Sequence, residues 1–301
     1  MRMEASDDIA WLDGDAPVTI GQSVRRLTDL FAAREFWGPS QDARALVGHA
    51  TGLDYSKLVL RADERLSDAQ RAALAGCVAR RLRHEPVGRI IGMRDFRGLE
   101  LEVSAATLEP REDTEVLVEA GLHFLRSGMG REVIVADLGT GTGAILLALV
   151  SEVHEAVGVA VDISPQVLAT ARRNAARVGV EDRFHGVVAD YASAFAPGTV
   201  GLIVSNPPYI VTGIIAGLDA EVRDYDPHLA LDGGPDGLAA YRAIVLEAHA
   251  ALKPGGALMV EIGFDQAEAV TAFFAAAGFE DIAVRRDRGD RDRVVIGFKR
   301  R

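Results

Sequence analysis

Residues Val133 to Val150 read VIVADLGTGTGAILLALV, and this stretch decides the fold. It begins with an apolar run of strand length and ends with a run of helical character. Gly139, Gly141 and Gly143 lie between the two and allow a tight turn that brings bare backbone against a ligand. The stretch therefore predicts a strand, a glycine loop and a helix at the start of an α/β domain.

The order of strand pattern followed by helix pattern repeats toward the C-terminus. Strand patterns at VGVAVDI, FHGVVAD, VGLIVSN and ALMVEIG alternate with helical patterns, which predicts a parallel, doubly wound sheet. The last segment, EDIAVRRDRGDRDRVVIGFKR, instead places two strand patterns around a charged turn without a helix between them. We therefore predict an α/β, Rossmann-like sheet of seven strands that ends in an antiparallel C-terminal hairpin.

The N-terminal part of the chain has a different pattern. Apolar residues recur at helical spacing, and Ser67 followed by Gln70 is a capping box that opens a helix. Pro86 ends this pattern, and the following residues alternate like a β-hairpin with its turn near residues 97–98. We predict four segments, which are a flexible N-terminal extension over residues 1–16, a small helical bundle domain over 17–85, a β-hairpin linker over 86–110 and the α/β domain over 111–301.

Composition limits the classes of function. The chain has 301 residues, of which 49% are hydrophobic, enough for a core domain and a smaller one. No uncharged apolar run reaches the length of a membrane span, and the acidic N-terminus lacks an apolar signal core, which predicts a cytoplasmic protein without membrane contact. The net charge of −11 weakens attraction to phosphates, so we expect no direct binding to nucleic acid.

Three local features have plain interpretations. The basic stretches 80–89 and 285–293 are candidate nucleic-acid patches, but solvated helix and turn faces are favoured for both. Cys77, the only cysteine, falls in a helical pattern and is interpreted as a small core residue rather than a nucleophile. The seven histidines show no pair at helical spacing, so we expect no metal site.

A carboxylate follows the second strand of the α/β domain. Asp162 stands 23 residues beyond Gly139, where it can accept hydrogen bonds from both hydroxyls of a ribose. A nicotinamide dinucleotide domain is one alternative, because Gly139, Gly141 and Ala144 fit its glycine pattern, and a purely structural turn is another. Asp137, two positions before the first glycine, the C-terminal hairpin and the Asn-Pro-Pro-Tyr sequence disfavour the dinucleotide domain.

These residues resemble those of the class I S-adenosylmethionine-dependent methyltransferases. The resemblance implies that the glycine loop approaches the methionine part of S-adenosyl-L-methionine, that Asp162 binds the ribose, and that Asp190 and Tyr191 lie near the adenine. The cofactor-binding residues that it implies are Asp137, Gly139, Thr140, Gly141, Thr142, Gly143, Asp162, Asp190, Tyr191 and Asn206.

The fourth strand ends in VSNPPYI, residues 204–210. The two prolines fix two φ angles and remove two backbone donors, which makes a stiff corner at the edge where open α/β sheets bind ligands. An amide or aryl-amine nitrogen is a poor nucleophile until acceptors orient its N–H groups. The Asn206 side-chain oxygen and the Pro207 carbonyl can be those acceptors, and Tyr209 can stack on a flat substrate group. Asn206, Pro207 and Tyr209 are therefore the candidate catalytic residues, acting through positioning and electrostatics rather than as a strong base; a rigid structural turn is the alternative.

Asn-Pro-Pro-Tyr resembles the motif of amino-methyltransferases that act on adenine N6, guanine N2 or glutamine N5. The segments RRLRHEPVGRIIGMRDFRGLELEV, PREDTEVLVE, LDGGPDGLAAYR and LKPGGALMVEIG occur with it in one order. Over roughly residues 20–300, the chain is similar to the protein-(glutamine-N5) methyltransferase family that acts on peptide chain release factors.

The family resemblance implies a substrate and a site. The substrate is the glutamine of the Gly-Gly-Gln loop in class I release factors, whose methylation modulates translation termination. The helical domain and the hairpin help to grip the release factor. The substrate-binding residues that the resemblance implies are Asn206, Pro207, Pro208, Tyr209 and Arg111.

The chain departs from the family pattern at a few positions. Arg89 stands where the family usually has an aromatic residue, and Glu109 and the pair 112–113 alter its IPRPETE motif to EPREDTE. Tyr191 replaces the tryptophan of some relatives and keeps an aromatic wall for adenine. The alternatives are a ribosomal-protein glutamine methyltransferase, a nucleic-acid adenine or guanine amino-methyltransferase, and a non-catalytic cofactor-binding module.

Overall fold

The computed structural model describes residues 9–12, 17–128 and 132–301. The chain divides into two compact units, one ending at Gly92 and the other beginning at Met93. Across the described ranges, every helix falls short of the length and apolar character needed to cross a membrane.

The predicted N-terminal extension, residues 1–16, lies outside the described residues except for 9–12. These four residues are helical, and Ile9 and Leu12 are buried in the core of the first unit. The helical unit therefore includes part of the segment that the sequence assigns to an extension.

The first unit is helical, as predicted. Its helices are α1 (Ile20–Ala33), α2 (Pro39–Thr51), α3 (Tyr55–Leu60), α4 (Asp68–Arg81) and α5 (Val87–Ile91). Thr19 opens α1 with a capping box, and Ser67 opens α4 in the same way with Gln70, which confirms the predicted cap. The helices enclose a common core that includes Leu27, Phe31, Leu46, Leu74 and Val78.

The helical pattern does not end at Pro86, so that prediction was wrong. Pro86 is the N-cap of α5, which continues to Ile91 and stops at Gly92 in a left-handed conformation with φ 79°. Gly88 and Ile90 are the buried positions of this short helix. Burial two residues apart is the period of a strand, which explains why the sequence favoured a hairpin from residue 86 onward.

The basic stretch 80–89 is only partly solvated, because Arg83 and His84 are exposed whereas Arg81 is buried, so its interpretation as a solvated face was wrong at Arg81. Arg81 is 2% exposed, and its Nε donates to Asp42 over 2.7 Å. Its guanidinium also lies 4.1 Å from the centre of the Phe36 ring. Cys77 is buried, as predicted, and burial raises the pKa of its thiol.

The second unit opens with a hairpin of β1 (Met93–Phe96) and β2 (Leu99–Glu102). The turn residues Arg97 and Gly98 have φ of 53° and 79°. Two positive φ angles are typical of the hairpin turn whose twist matches the flanking strands, and the predicted turn position is confirmed.

A seven-stranded sheet forms the centre of the second unit. Its strands are β3 (Val133–Leu138), β4 (Ala156–Asp162), β5 (Phe184–Val188), β6 (Val200–Ser205), β7 (Leu252–Glu261), β8 (Glu280–Arg286) and β9 (Asp292–Phe298). The strand order is β5-β4-β3-β6-β7-β9-β8. Strands β3 to β7 pair in parallel, and β9 pairs antiparallel with both β7 and β8. The predicted sheet and its C-terminal hairpin are confirmed.

Helices cover both faces of this sheet. They are α6 (Glu115–Arg126), α7 (Ala144–Glu152), α8 (Pro165–Val178), α11 (Ala239–Ala251) and α12 (Ala267–Ala276), and two short helices, α9 (Ala220–Arg223) and α10 (His228–Leu231), lie in the chain between β6 and α11. Residues of α6, α7 and α8 share one core with the sheet, and residues of α11 and α12 share the other. The chain order reverses at β3, between β4 and β6, and open α/β sheets bind ligands at such a switch point.

Candidate active site

A cleft of about 310 Å³ lies at the carboxyl ends of the parallel strands. Its wall is built from the residues that follow them, which are 139–142 after β3, 162–164 after β4, 189–191 after β5, and Asn206 and Pro208 after β6. Residues 108–111 and the segment 227–232, which contains α10, form further parts of the wall. The sheet thus collects most of the predicted site residues in one cavity.

The glycine loop begins where β3 ends. The backbone N–H groups of Gly139 and Thr140 donate to the carbonyl of Val161 over 2.9 and 3.0 Å, which joins the loop to β4. Gly139 and Gly141 have φ of 70° and 57°, and a Cβ on either would meet nothing within 4 Å. Conformation rather than crowding therefore requires glycine here, and the bare backbone borders the cleft.

Two further loop residues lie behind the cleft wall. Gly143 is buried and is the left-handed N-cap of α7. Asp137 is fully buried, and the Thr140 hydroxyl donates to its Oδ2 over 2.7 Å. Its Oδ1 has no hydrogen-bond partner among the described residues. Burial raises the pKa of Asp137 to about 7, against the hydrogen bond from Thr140. Asp137 therefore stabilises the glycine loop through its hydrogen bond with Thr140.

Asp162 lines the cleft and is tied to the glycine loop. Its Oδ1 accepts the Ser164 N–H over 3.0 Å, and its Oδ2 accepts the Gly141 N–H over 3.5 Å. Burial raises its pKa. Asp190 and Tyr191 form the next part of the wall, and Tyr191 holds an unusual positive φ of 42°. Such strain in a non-glycine residue is typical of functional sites.

The Asn-Pro-Pro-Tyr corner divides between the cleft and the core. Asn206 and Pro208 line the cleft, whereas Pro207 is buried behind them. Asn206 Nδ2 donates to Thr114 Oγ1 over 3.3 Å. The Tyr209 ring packs against the core of α11 and α12 and is outside the cleft wall. Burial raises the pKa of Tyr209 to about 12.

The sequence analysis did not predict a cluster of charged residues near this corner, whose buried members are Glu261 and Arg293. Glu261, the last residue of β7, is 2% exposed. Arg293 of β9 pairs with Asp287 over 2.9 Å and with Asp113 over 3.0 Å. Arg293 is itself buried, so the interpretation of residues 285–293 as a solvated face was wrong at this position. The available signal was the sequence VEIG, which puts a carboxylate at the end of a strand, as with Asp162.

Arg111 also lies in the cleft wall, in a defined ion pair. Its Nη2 is 2.6 Å from Asp226 Oδ2, and the Asp226 side chain is fully buried. The altered motif residue Glu109 is buried too and lies 3.3 Å from the Arg94 guanidinium. Within the described ranges, no group of three or more His, Cys, Asp and Glu residues is placed to hold a metal ion.

The fold has counterparts among solved structures. The hMettl16 catalytic domain in complex with MAT2A 3'UTR hairpin 6 matches with a TM-score of 0.55 over 67% of this chain and 76% of that one, at 13% identity. At this identity the likeness shows the fold alone. Residues 114–216, which span the glycine loop and the Asn-Pro-Pro-Tyr corner, match the family described as the methyltransferase small domain. The fold and this match define a methyltransferase.

The remainder of the chain narrows the class. Residues 22–92 match the family described as the PrmC N-terminal domain. The release factor glutamine methyltransferase of Agrobacterium fabrum is 46% identical over 96% of this chain and all of its own length. That of Bradyrhizobium diazoefficiens is 45% identical over 85% of this chain and 88% of its own. The chain belongs to the release factor glutamine methyltransferase family, which confirms the resemblance seen in the sequence.

Proposed function

We propose that this enzyme transfers the methyl group of S-adenosyl-L-methionine to the N5 amide nitrogen of a glutamine in a class I peptide chain release factor. The observation that carries the proposal is the position of Asn206. Its amide stands on the wall of the same cleft that the glycine loop and Asp162 line. A group suited to hold a substrate amide is thus placed beside a site suited to hold the methyl donor.

The residues of the cleft fit the cofactor. The loop at 139–142 offers bare backbone for its methionine part. Each oxygen of Asp162 already accepts one backbone N–H, and the remaining lone pairs can accept the two ribose hydroxyls. Tyr191 and Ile163, which is 50% exposed, offer apolar surface for the adenine. S-adenosyl-L-methionine, once bound, supplies an electrophilic methyl group.

The contribution of the chain itself is to orient the substrate amide. Asn206 directs its NH2 group toward Thr114, which leaves its oxygen to accept one N–H of the substrate glutamine. The Pro207 carbonyl is proposed to accept the other, with the buried Pro207 ring and its fixed φ holding the backbone of the corner in place. Two such acceptors aim the nitrogen lone pair along the line of attack. Positioning of this kind supplies a large share of enzymatic rate enhancement.

Tyr209 has a supporting role in this proposal instead of the stacking role suggested by the sequence. Its ring packs against the core, and its carbonyl accepts a hydrogen bond from Gln266 over 3.0 Å. These contacts suit a residue that holds the corner rigid from behind.

The helical unit is proposed to bind the release factor. It exposes large apolar side chains, with Trp37 and Leu60 each 86% exposed and Tyr55 60% exposed. Tyr55 and Leu60 belong to the same short helix, α3, and neighbouring exposed apolar side chains are typical of surfaces that bind other proteins. The β1–β2 hairpin is proposed to assist, as the sequence suggested, and the cytoplasm is the proposed compartment because translation factors act there.

The test is a methyl-transfer assay with purified protein, labelled S-adenosyl-L-methionine and a class I release factor. We expect label in the release factor, located by mass spectrometry on the glutamine of its Gly-Gly-Gln loop. A release factor with that glutamine replaced by alanine is the control and should stay unlabelled. Label found only in ribosomal protein or in RNA would reject the proposal.

A further inference from the structure

Glu261 lies next to Asn206 because of the sheet register. Strands β6 and β7 pair in parallel with Ser205 opposite Val260. Asn206, which follows the last residue of β6, and Glu261, the last residue of β7, are therefore the next two residues along this register, at the edge where the cleft opens. Asn206 lines the cleft, and Glu261 is buried behind it.

The neighbours of the Asn206 amide distinguish its two ends. Its Nδ2 donates to Thr114 Oγ1 over 3.3 Å. Hydrogen bonds with the side chains of Thr114 and Asn206 both lower the pKa of the Glu261 carboxyl. An ionised carboxylate only accepts hydrogen bonds. It therefore attracts the NH2 end of an amide and repels the oxygen end. The carboxylate selects one of the two orientations that an asparagine side chain can adopt.

We propose that Glu261 is a positioning residue for methyl transfer, whose ionised carboxylate holds the NH2 group of Asn206 and so aims the Asn206 oxygen at the substrate amide. This inference rests on the proposed function, because the aimed oxygen has a task only where a substrate amide is bound.

The burial of Glu261 agrees with a role in the site. Its Oε2 has no hydrogen-bond partner among the described residues, and an unsatisfied buried oxygen destabilises a fold. Packing alone would favour an apolar residue at this position. A carboxylate here is consistent with a requirement of the neighbouring Asn206.

The ionisation of Glu261 depends on several neighbours. Burial raises its pKa to about 7, the hydrogen bond with Thr114 and the charge of Arg293 lower it, and the charge of Asp113 raises it. The hydroxyls of Tyr209 and Tyr241 also lie within electrostatic reach. The carboxylate form therefore predominates above about pH 7 and is lost as the pH falls below it. Turnover that needs this form decreases on the acid side.

Two substitutions separate positioning from packing. Glu261→Met keeps the size and removes the acceptor, so kcat should fall about 10- to 100-fold while the Kd for the cofactor is unchanged. Glu261→Gln keeps one acceptor oxygen and should lose less. The wild type should show a decrease of kcat below about pH 7, and both variants should lack it. Asp287→Asn is the matched control, since Asp287 belongs to the same charged cluster and pairs with Arg293, and it should retain that decrease.

A measurement on the wild type keeps the inference testable if a variant fails to fold. The side-chain NH2 resonances of Asn206 in an isotope-labelled sample should shift with an apparent pKa of about 7. Resonances that do not titrate, or a Glu261→Met enzyme with wild-type kcat and pH profile, would overturn the positioning role. This readout needs no substrate. If the wild type fails to methylate a release factor, the proposed function is rejected, while the resonances still decide whether Glu261 orients Asn206.

Discussion

Gln266 donates from its Nε2 to the carbonyl oxygen of Tyr209 over 3.0 Å, although the two residues lie far apart in the sequence. The same nitrogen donates to the Gly237 carbonyl over 3.2 Å. Its Oε1 accepts the Gly263 N–H over 2.9 Å and the Tyr241 hydroxyl over 3.2 Å. One buried amide thus uses both ends to join the Asn-Pro-Pro-Tyr corner, the loop at 233–237 and the end of β7.

Gln266→Leu should therefore weaken both the fold and the reaction. The substitution leaves the carbonyls of Tyr209 and Gly237 without this donor, and each unsatisfied buried group destabilises by about 1–3 kcal/mol. The corner that carries Asn206 should also loosen, so kcat should fall further than the affinity for the cofactor. Denaturant unfolding and single-turnover methyl transfer measure the two effects.

Gln266→Glu is the matched control for this experiment. The carboxylate keeps an acceptor for Gly263 but removes the donors to Tyr209 and Gly237. It should therefore reproduce the loss of kcat. A Gln266→Glu enzyme with full activity would show that the contact to Tyr209 has no influence on the catalytic corner.

Asn206 and Asp162 should separate turnover from cofactor binding. Asn206→Ala removes the proposed acceptor of the substrate amide, so kcat should fall about 10²- to 10³-fold while the cofactor Kd stays near the wild-type value. Asp162→Ala removes the proposed ribose acceptor and should mainly raise the cofactor Kd. Calorimetric titration and steady-state kinetics on both variants provide the comparison. An unchanged Kd in Asp162→Ala would reject the ribose assignment, and a lost cofactor affinity in Asn206→Ala would reject the role proposed for the amide.

The ion pair between Arg111 and Asp226 should couple stability to substrate binding. Arg111→Ala removes this partner from a buried carboxylate and should destabilise the protein by about 1–3 kcal/mol, less than for a fully buried pair because the Arg111 side chain is 42% exposed. The segment 227–232, which contains α10, forms part of the cleft wall, so its displacement should also raise KM. Thermal unfolding and steady-state kinetics report the two effects.

The double variant Arg111→Ala with Asp226→Asn distinguishes a structural pair from a substrate ligand. It removes the buried charge together with its partner, so stability should recover. KM for the release factor should recover as well if Arg111 acts only through Asp226. A KM that stays high in a restabilised double variant would show that Arg111 contacts the substrate directly.

The sequence predicted those parts of the fold that depend on local pattern. The strand before Gly139 and the carboxylate at Asp162 follow from short-range periodicity and spacing, because each unit of a doubly wound sheet repeats the same local order. The sequence could not reveal the contacts of Arg81, whose partner Asp42 belongs to another helix. A charged residue is expected at the surface unless its partner is known.

The candidate site shows the same limit at the Asn-Pro-Pro-Tyr corner. The stiffness of the corner could be read from its two prolines. The support beneath it comes from Glu261 and Gln266, which are more than 50 residues away in the sequence and meet the corner only because β7 pairs with β6. The ring of Tyr209 packs against a core that includes residues of α11 and α12. This contact also joins segments that are distant in the sequence, so local pattern could not predict it.

Asp137 should make the stability of the second unit depend on pH. Burial raises its pKa from 3.8 to about 7 in the folded protein. The unfolded chain releases this proton near the ordinary pKa of 3.8. The folded state therefore holds more protons between the two pKa values, and the free energy of unfolding falls as the pH rises through that interval.

Asp137→Asn removes the titrating group and keeps an acceptor for Thr140. The variant should gain stability relative to the wild type as the pH rises from about 4 to about 7, with a constant difference above that. Denaturant unfolding without cofactor at several pH values measures this difference, and a difference independent of pH would show that Asp137 is ionised in the folded protein throughout the range.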